Sequence, residues 1–128
     1  MATTSVHSIY VTQAQALEYI VNPEKTEDGT LVQNFACSND PVIAAEMFDA
    51  VRNEKGTGRG IILARHIHQN FAPGETTPEE AMQIGLELCQ KLFGNEYQFV
   101  IATHTDKQHI HNHIIVNNVN LENGRTLN

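Results

Sequence analysis

Hydrophobic and polar positions along this chain follow two rhythms, one helical and one of strand length. The first apolar segment, SVHSIYV, is long enough for a strand. Thr12 then stands where an N-cap belongs, and QAQALEYIV reads as a short helix closed by Asn22-Pro23, because proline disfavours the helical conformation of the residue before it. NPEKTEDGT is a polar loop, and LVQNFAC alternates weakly, as a strand does. Asp40 can cap a second helix, with Pro41 in its first turn and Gly56 beyond its end. Its apolar residues Ala44, Met47, Phe48 and Val51 fall at i, i+3, i+4 and i+7, which predicts the buried face. GTGRG is a loop, IILARHIHQNF a β-rich segment, and APGET a turn. The third helix has the clearest punctuation. Thr77 and Glu80 form a capping box, Pro78 follows the cap, and Gly94 ends the helix. Met82, Leu86, Cys89 and Phe93 recur along it at helical spacing. YQFVIAT and HIHNHIIVNNV are the last two strands. The order β-α-β-α-β-α-β-β predicts an α+β domain, with helices packed on a central, largely antiparallel sheet.

Composition narrows the class. A length of 128 residues suits a single domain over 1–128. No apolar run approaches the ~20 residues of a membrane helix, and MATTSVHSIY lacks the regions of a signal peptide. A cytoplasmic protein is the default expectation. Cys37 and Cys89 show no paired spacing, so free thiols are expected. The tail NNVNLENGRTLN leaves a strongly apolar segment for an Asn-Gly turn signal. Either a natural end or a cut from a longer protein fits it. The net charge of −7 argues against gripping nucleic acid by bulk charge. Arg52, Lys55, Arg59 and Arg65 form a modest basic cluster, which can equally be an ordinary solvated helix end and loop.

The chemistry concentrates in THTDKQHIHNHIIVNN, residues 103–118, which holds four of the seven histidines. On a strand, His109, His111 and His113 share one face. A row of imidazoles is costly to bury as ordinary core, since each ring needs a donor and an acceptor satisfied. At ~3.3 Å per residue the outer two start ~13 Å apart, too far to share an ion bound at ~2.1 Å. Two neighbours plus His104, at the end of the preceding strand, form the predicted metal site, with open positions left for substrate. Asp106 can hold the far nitrogen of one imidazole and so fix its tautomer. Imidazole ligation suits zinc, manganese, nickel or cobalt, while magnesium prefers oxygen.

These residues carry a resemblance. HTDKQHIHNHIIVNN resembles the third motif of the relaxases, or mobilisation nucleases, of plasmids and integrative conjugative elements, within the histidine–hydrophobe–histidine endonuclease superfamily. Set onto that motif, the metal ligands are His104, His111 and His113, with Asp106 and His109 as partners behind the ligands or as alternative ligands. The match has two departures: Asn112 stands where a hydrophobe is usual, and Ile110 where proline is common. YIVNPEKT is similar to the family's tyrosine motif and points to Tyr19 as nucleophile, although a helix tyrosine by itself is most often packing. RHIHQNFAPGE is similar to a third family stretch and makes His66 and Gln69 candidates for the active-site floor. His68, without a nearby carboxylate or third histidine in sequence, reads as a solvated strand residue.

The resemblance implies site-specific nicking and rejoining of single-stranded DNA at an origin of transfer, through a covalent 5′-phosphotyrosine. It implies magnesium or manganese as cofactor, and accessory mobilisation proteins as further partners. Two rival readings stand beside it. One is a metal-dependent hydrolase or nuclease that activates water without a covalent step. The other is a non-catalytic metal-binding domain.

Overall fold

The computed structural model describes residues 2–56 and 62–127. Its elements are β1 (Thr3–Ile9), α1 (Gln13–Ile20), β2 (Val32–Phe35), α2 (Pro41–Lys55), β3 (Ala64–Asn70), α3 (Pro78–Phe93), β4 (Phe99–His104) and β5 (His111–Asn117). The strands form one sheet in the order β1-β3-β5-β4-β2, every pair antiparallel. This is the α+β architecture expected from the pattern.

Strand alternation sends side chains to two faces, and each face has its own core. On one, Leu17 and Ile20 of α1 and Ala44, Ala45 and Phe48 of α2 pack on Val32, Val100, Ala102, Ala64 and Ile115. On the other, Met82, Cys89 and Phe93 of α3 cover Ile67, Phe99, Ile101, Ile114 and Val116. The α2 face is rotated from the expected one. Ala45 is buried, and Met47 stays 36% exposed. β1 ends at Ile9 because its partner strand ends there, with Ile9 opposite Ala64. Tyr10 and Val11 therefore run on exposed beyond the sheet.

The caps behave as their chemistry directs. Asp40 accepts from the Val42 and Ile43 amides, and Thr77 from the Glu80 amide. The Thr12 side chain makes no such bond. There the backbone alone starts the helix, with Ala16 N–H donating to the Thr12 carbonyl.

The departure at Asn112 has a structural reason. Its side chain, fully buried, faces α3 rather than the histidines. It accepts from Thr103 Oγ1 at 2.6 Å and donates to the Ala81 carbonyl at 2.7 Å and to Gln69 Oε1 at 3.0 Å. A buried amide with its partners supplied is tolerated where an apolar residue would also fit. Gly85 lets α3 approach this point, for a Cβ there would meet Ile101 Cδ1 and lie 2.7 Å from Asn112 Nδ2. Gly85→Ala should therefore lower stability by about 1–3 kcal/mol despite alanine's better helix propensity. Denaturant unfolding measures it, and a stabilised variant would show that the helix has room.

Candidate metal centre and tyrosine

Register, not sequence spacing, assembles the histidines. The six residues between β4 and β5 place His104 opposite His111, and the pairing of β3 with β5 places His68 opposite His113. His66, His68, His104, His111 and His113 all lie on the face that α1 and α2 cover only in part. His109 lies in the bend before β5, half-buried, with its ring 5.5 Å from that of His111. It joins neither group of converging ligand atoms.

His104, His111 and His113 present ligand atoms within 4.8 Å of one another, and all three are buried. His104 Nε2 sits 2.7 Å from the Ile20 carbonyl, so that nitrogen must carry the proton and donate. Nδ1 is then the basic nitrogen, buried and without a partner. His111 Nε2 is likewise buried and unpartnered, with Asp106 Oδ1 4.0 Å away. Two orphaned imidazole nitrogens beside a third buried ring are what a metal site needs and an ordinary core avoids. The residues present therefore fit a divalent ion.

Burial keeps these rings neutral, the form that binds metal. It pushes His113 down to about 2, and the neighbouring His104, His68, His66 and His111 add repulsion. His66 and His111 fall to about 4, again chiefly through burial. His104 is lowered by the same cause. The unfolded chain, with imidazoles near ~6.5, takes up protons that the fold refuses. Stability is thus full above pH 6.5 and is lost as pH falls toward 4. The slope approaches about 1.4 kcal/mol per pH unit for each such ring. Urea unfolding of metal-free protein should show a midpoint that is level above neutrality and falls steeply below it. A midpoint unchanged down to pH 5 would contradict the burial.

Tyr19, on the last turn of α1, is 51% exposed. Its ring lies 6.0 Å from that of His104 and 6.1 Å from that of His113. The Asn-Pro-Glu-Lys-Thr stretch after it folds into a clasp. Thr26 Oγ1 donates to the Asn22 carbonyl, and the Thr105 amide donates to the Lys25 carbonyl, tying the loop to the end of β4. Lys25 Nζ then donates to Asp106 Oδ2 at 2.8 Å and stands 5.5 Å from the centre of the Tyr19 ring. Lys25 holds the Asp106 carboxyl below its usual range. Tyrosine, lysine and aspartate thus adjoin the buried histidines, beside a groove lined by Gln15, Glu18, Tyr19, Asn22 and Pro23.

The other expected positions fall differently. His66 adjoins the centre, with Nε2 2.9 Å from His113 Nδ1. Gln69 is three residues on, an odd step along the strand, and so faces α3 and Asn112 instead. His68 shares the face of His66 and converges with it on His113. The third histidine it lacked in sequence comes from β5. Two His-x-His strings in phase on neighbouring strands were the available signal. The basic cluster disperses. Arg52 is spent on Asp49, Gln13, the Leu63 carbonyl and Asn117. Arg65 turns to Ser8 and to the groove beside α3, and Arg59 lies outside the described residues. Both cysteines are free. No described helix is long and apolar enough to cross a membrane.

Comparison with known proteins identifies a family. A family model described as "Relaxase: MobA/VirD2-like, nuclease domain" matches residues 19–128. The chain is 35% identical over 131 residues to the group II intron-interrupted relaxase LtrB of Lactococcus lactis subsp. cremoris (strain MG1363), covering 84% of this chain and 23% of that protein. It is 36% identical to a protein named rlx from Staphylococcus aureus, over 100% of this chain and 36% of that one. A second rlx protein is 52% identical over 64 residues, 50% of this chain and 20% of its own length. The chain thus spans well under half the length of these relatives.

Proposed function

Since the chain belongs to the MobA/VirD2-like relaxase nuclease family, we propose that residues 1–128 form one domain that nicks and rejoins single-stranded DNA at an origin of transfer, with Tyr19 as nucleophile. The observation that carries this reading is the exposed Tyr19 ring, about 6 Å from the rings of His104 and His113. The proposed nucleophile and one proposed ligand share a short helix, whose Ile20 carbonyl orients His104 while the preceding residue presents the phenol.

His104, His111 and His113 would hold the divalent ion, which when bound neutralises charge developing on the scissile phosphate. Manganese or magnesium is the ion proposed. The Asp106 carboxylate, 4.0 Å from His111, would supply the oxygen that three imidazoles lack. In the reaction Tyr19 Oη forms a bond to phosphorus and the bond from phosphorus to the 3′ oxygen breaks. The phenol proton is transferred overall to that oxygen, leaving a free 3′-hydroxyl and a 5′-phosphotyrosine. The bond energy is kept in the new ester, so attack by a 3′-hydroxyl reverses the step and rejoins the strand. Lys25 keeps a positive charge between Asp106 and the tyrosine, where a phosphate approaches. Accessory mobilisation proteins would be further partners.

The test is the fate of a labelled origin single strand incubated with the protein and Mn(II). A denaturation-resistant adduct on the 5′ end of the fragment downstream of the nick, absent with chelator, is the expected result. Cleavage that leaves no protein on either fragment would favour a metal-dependent hydrolase and overturn the covalent mechanism. Metal binding without cleavage would leave a non-catalytic metal domain.

A further inference from the structure

His113 belongs to two groups of ligand atoms. One is His104, His111 and His113, and the other is His66, His68 and His113; within each group the atoms lie inside 4.8 Å of one another. The two nitrogens of His113 point to different groups. Nε2 faces His111 Nδ1 at 3.0 Å, and Nδ1 faces His66 Nε2 at 2.9 Å. The three rings of the second group are closely gathered. His66 and His68 have centroids 4.2 Å apart, and His68 and His113 4.4 Å apart. Nitrogens sharing a tetrahedral ion bound at ~2.0–2.1 Å lie about 3.3 Å apart, so the second group needs only small side-chain movement.

We propose that His66, His68 and His113 form a second metal site, selective for a zinc-class transition ion, and that it competes with the first site for His113. Selectivity follows from the donors. Each group is three imidazoles, and among the described residues no carboxylate joins either. The first has Asp106 at its edge. All-nitrogen sets of this kind favour zinc, cobalt, nickel or copper over magnesium and manganese. Access follows from burial. His66 and His68, on the β1 side of the centre, are only half-buried, so an ion there keeps open positions toward solvent.

Competition follows from the tautomer. A neutral imidazole has one lone pair and one N–H. When Nδ1 of His113 ligates an ion at the second site, Nε2 carries the proton and donates it to His111 Nδ1. His111, accepting at Nδ1, then carries its own proton on Nε2, and the first site is left with His104 alone. When Nε2 ligates at the first site, Nδ1 donates to His66 Nε2, which helps to fix the first-site geometry. A zinc-class ion at the second site would thus disarm the first, without entering it.

Co(II) binding by the full chain, counted by equilibrium dialysis, separates the two sites. Wild type should bind about one ion, because His113 serves one site at a time. His104→Gln, whose amide can still donate to the Ile20 carbonyl, should retain the ion at the second site with an altered visible spectrum. Adding His68→Gln should then cut binding more than tenfold. His68→Gln alone should bind through the first site. Loss of Co(II) from His104→Gln, with circular dichroism unchanged, would overturn the second site. So would an unaltered ion count in the double variant, and two ions in wild type would overturn the sharing. Loss from His68→Gln alone would instead count against the first site. His111→Gln and His66→Gln repeat the two arms should either original variant fold poorly.

Discussion

Tyr19→Phe should abolish the covalent protein–DNA adduct and lower nicking of an origin single strand by at least about a thousandfold, since loss of a nucleophile removes the main route rather than weakening it. The variant should fold normally. The Tyr19 ring is half exposed at the end of α1, while the core residues of that helix are Leu17 and Ile20. Phenylalanine preserves the edge contacts to His104 and His113, so Mn(II) affinity should stay within a few-fold of wild type. That pairing of lost adduct with retained metal is the informative result. An adduct of wild-type yield in Tyr19→Phe would remove the residue from the mechanism. Tyr97 could not replace it, being buried with its hydroxyl against the Arg125 carbonyl. Tyr10 lies past the end of β1, on an element distant in the sheet order from β4.

The second large effect concerns the metal. His111→Ala should lower Mn(II) affinity at least about a hundredfold, because replacing groups that merely orient a ligand costs ten- to a hundredfold and a direct ligand costs no less. Asp106→Asn, which weakens the bond to Lys25 and removes the carboxylate charge near His111, should fall in the lower range of about ten- to a hundredfold. Mn(II) is the appropriate probe, since Asp106 at the edge of the first site adds an oxygen of the kind it prefers. Calorimetry at constant pH measures both variants. Unchanged affinity in His111→Ala would dismiss the His104–His111–His113 site, whatever the fate of Tyr19. Removing a buried imidazole nitrogen without a partner also relieves a cost in the metal-free chain, so His111→Ala should unfold no earlier than wild type at low pH.

The sequence itself determined the element order, and for local reasons. Caps, prolines and helix-ending glycines act within a few residues, so Asp40, Pro41, Thr77, Pro78 and Gly94 placed two helices by their own chemistry. Apolar spacing found the buried side of α3 and most of that of α2. It failed at Met47, because which side of a helix meets the sheet depends on how the helix is laid down. The candidate site was legible where the motif residues are near one another in sequence: Tyr19 with its clasp, and His104 with the His111 and His113 pair. Alternation also showed that the histidines of β5 share one face.

What only the tertiary structure decided is which histidines meet. The register between β4 and β5 turns on the length and path of a six-residue connection, and a slip of two residues would have put His109 in place of His111. The neighbour order β3-β5-β4 set His66 and His68 beside His113, although more than forty residues separate them in the chain. Gln69, next to these histidines in sequence, went to the other face. A polar side chain's neighbours across a sheet are fixed by strand pairing, a long-range choice driven by the two apolar cores. Alternation alone puts Gln69 on the face opposite His68, but no local pattern encodes which strands they pair with.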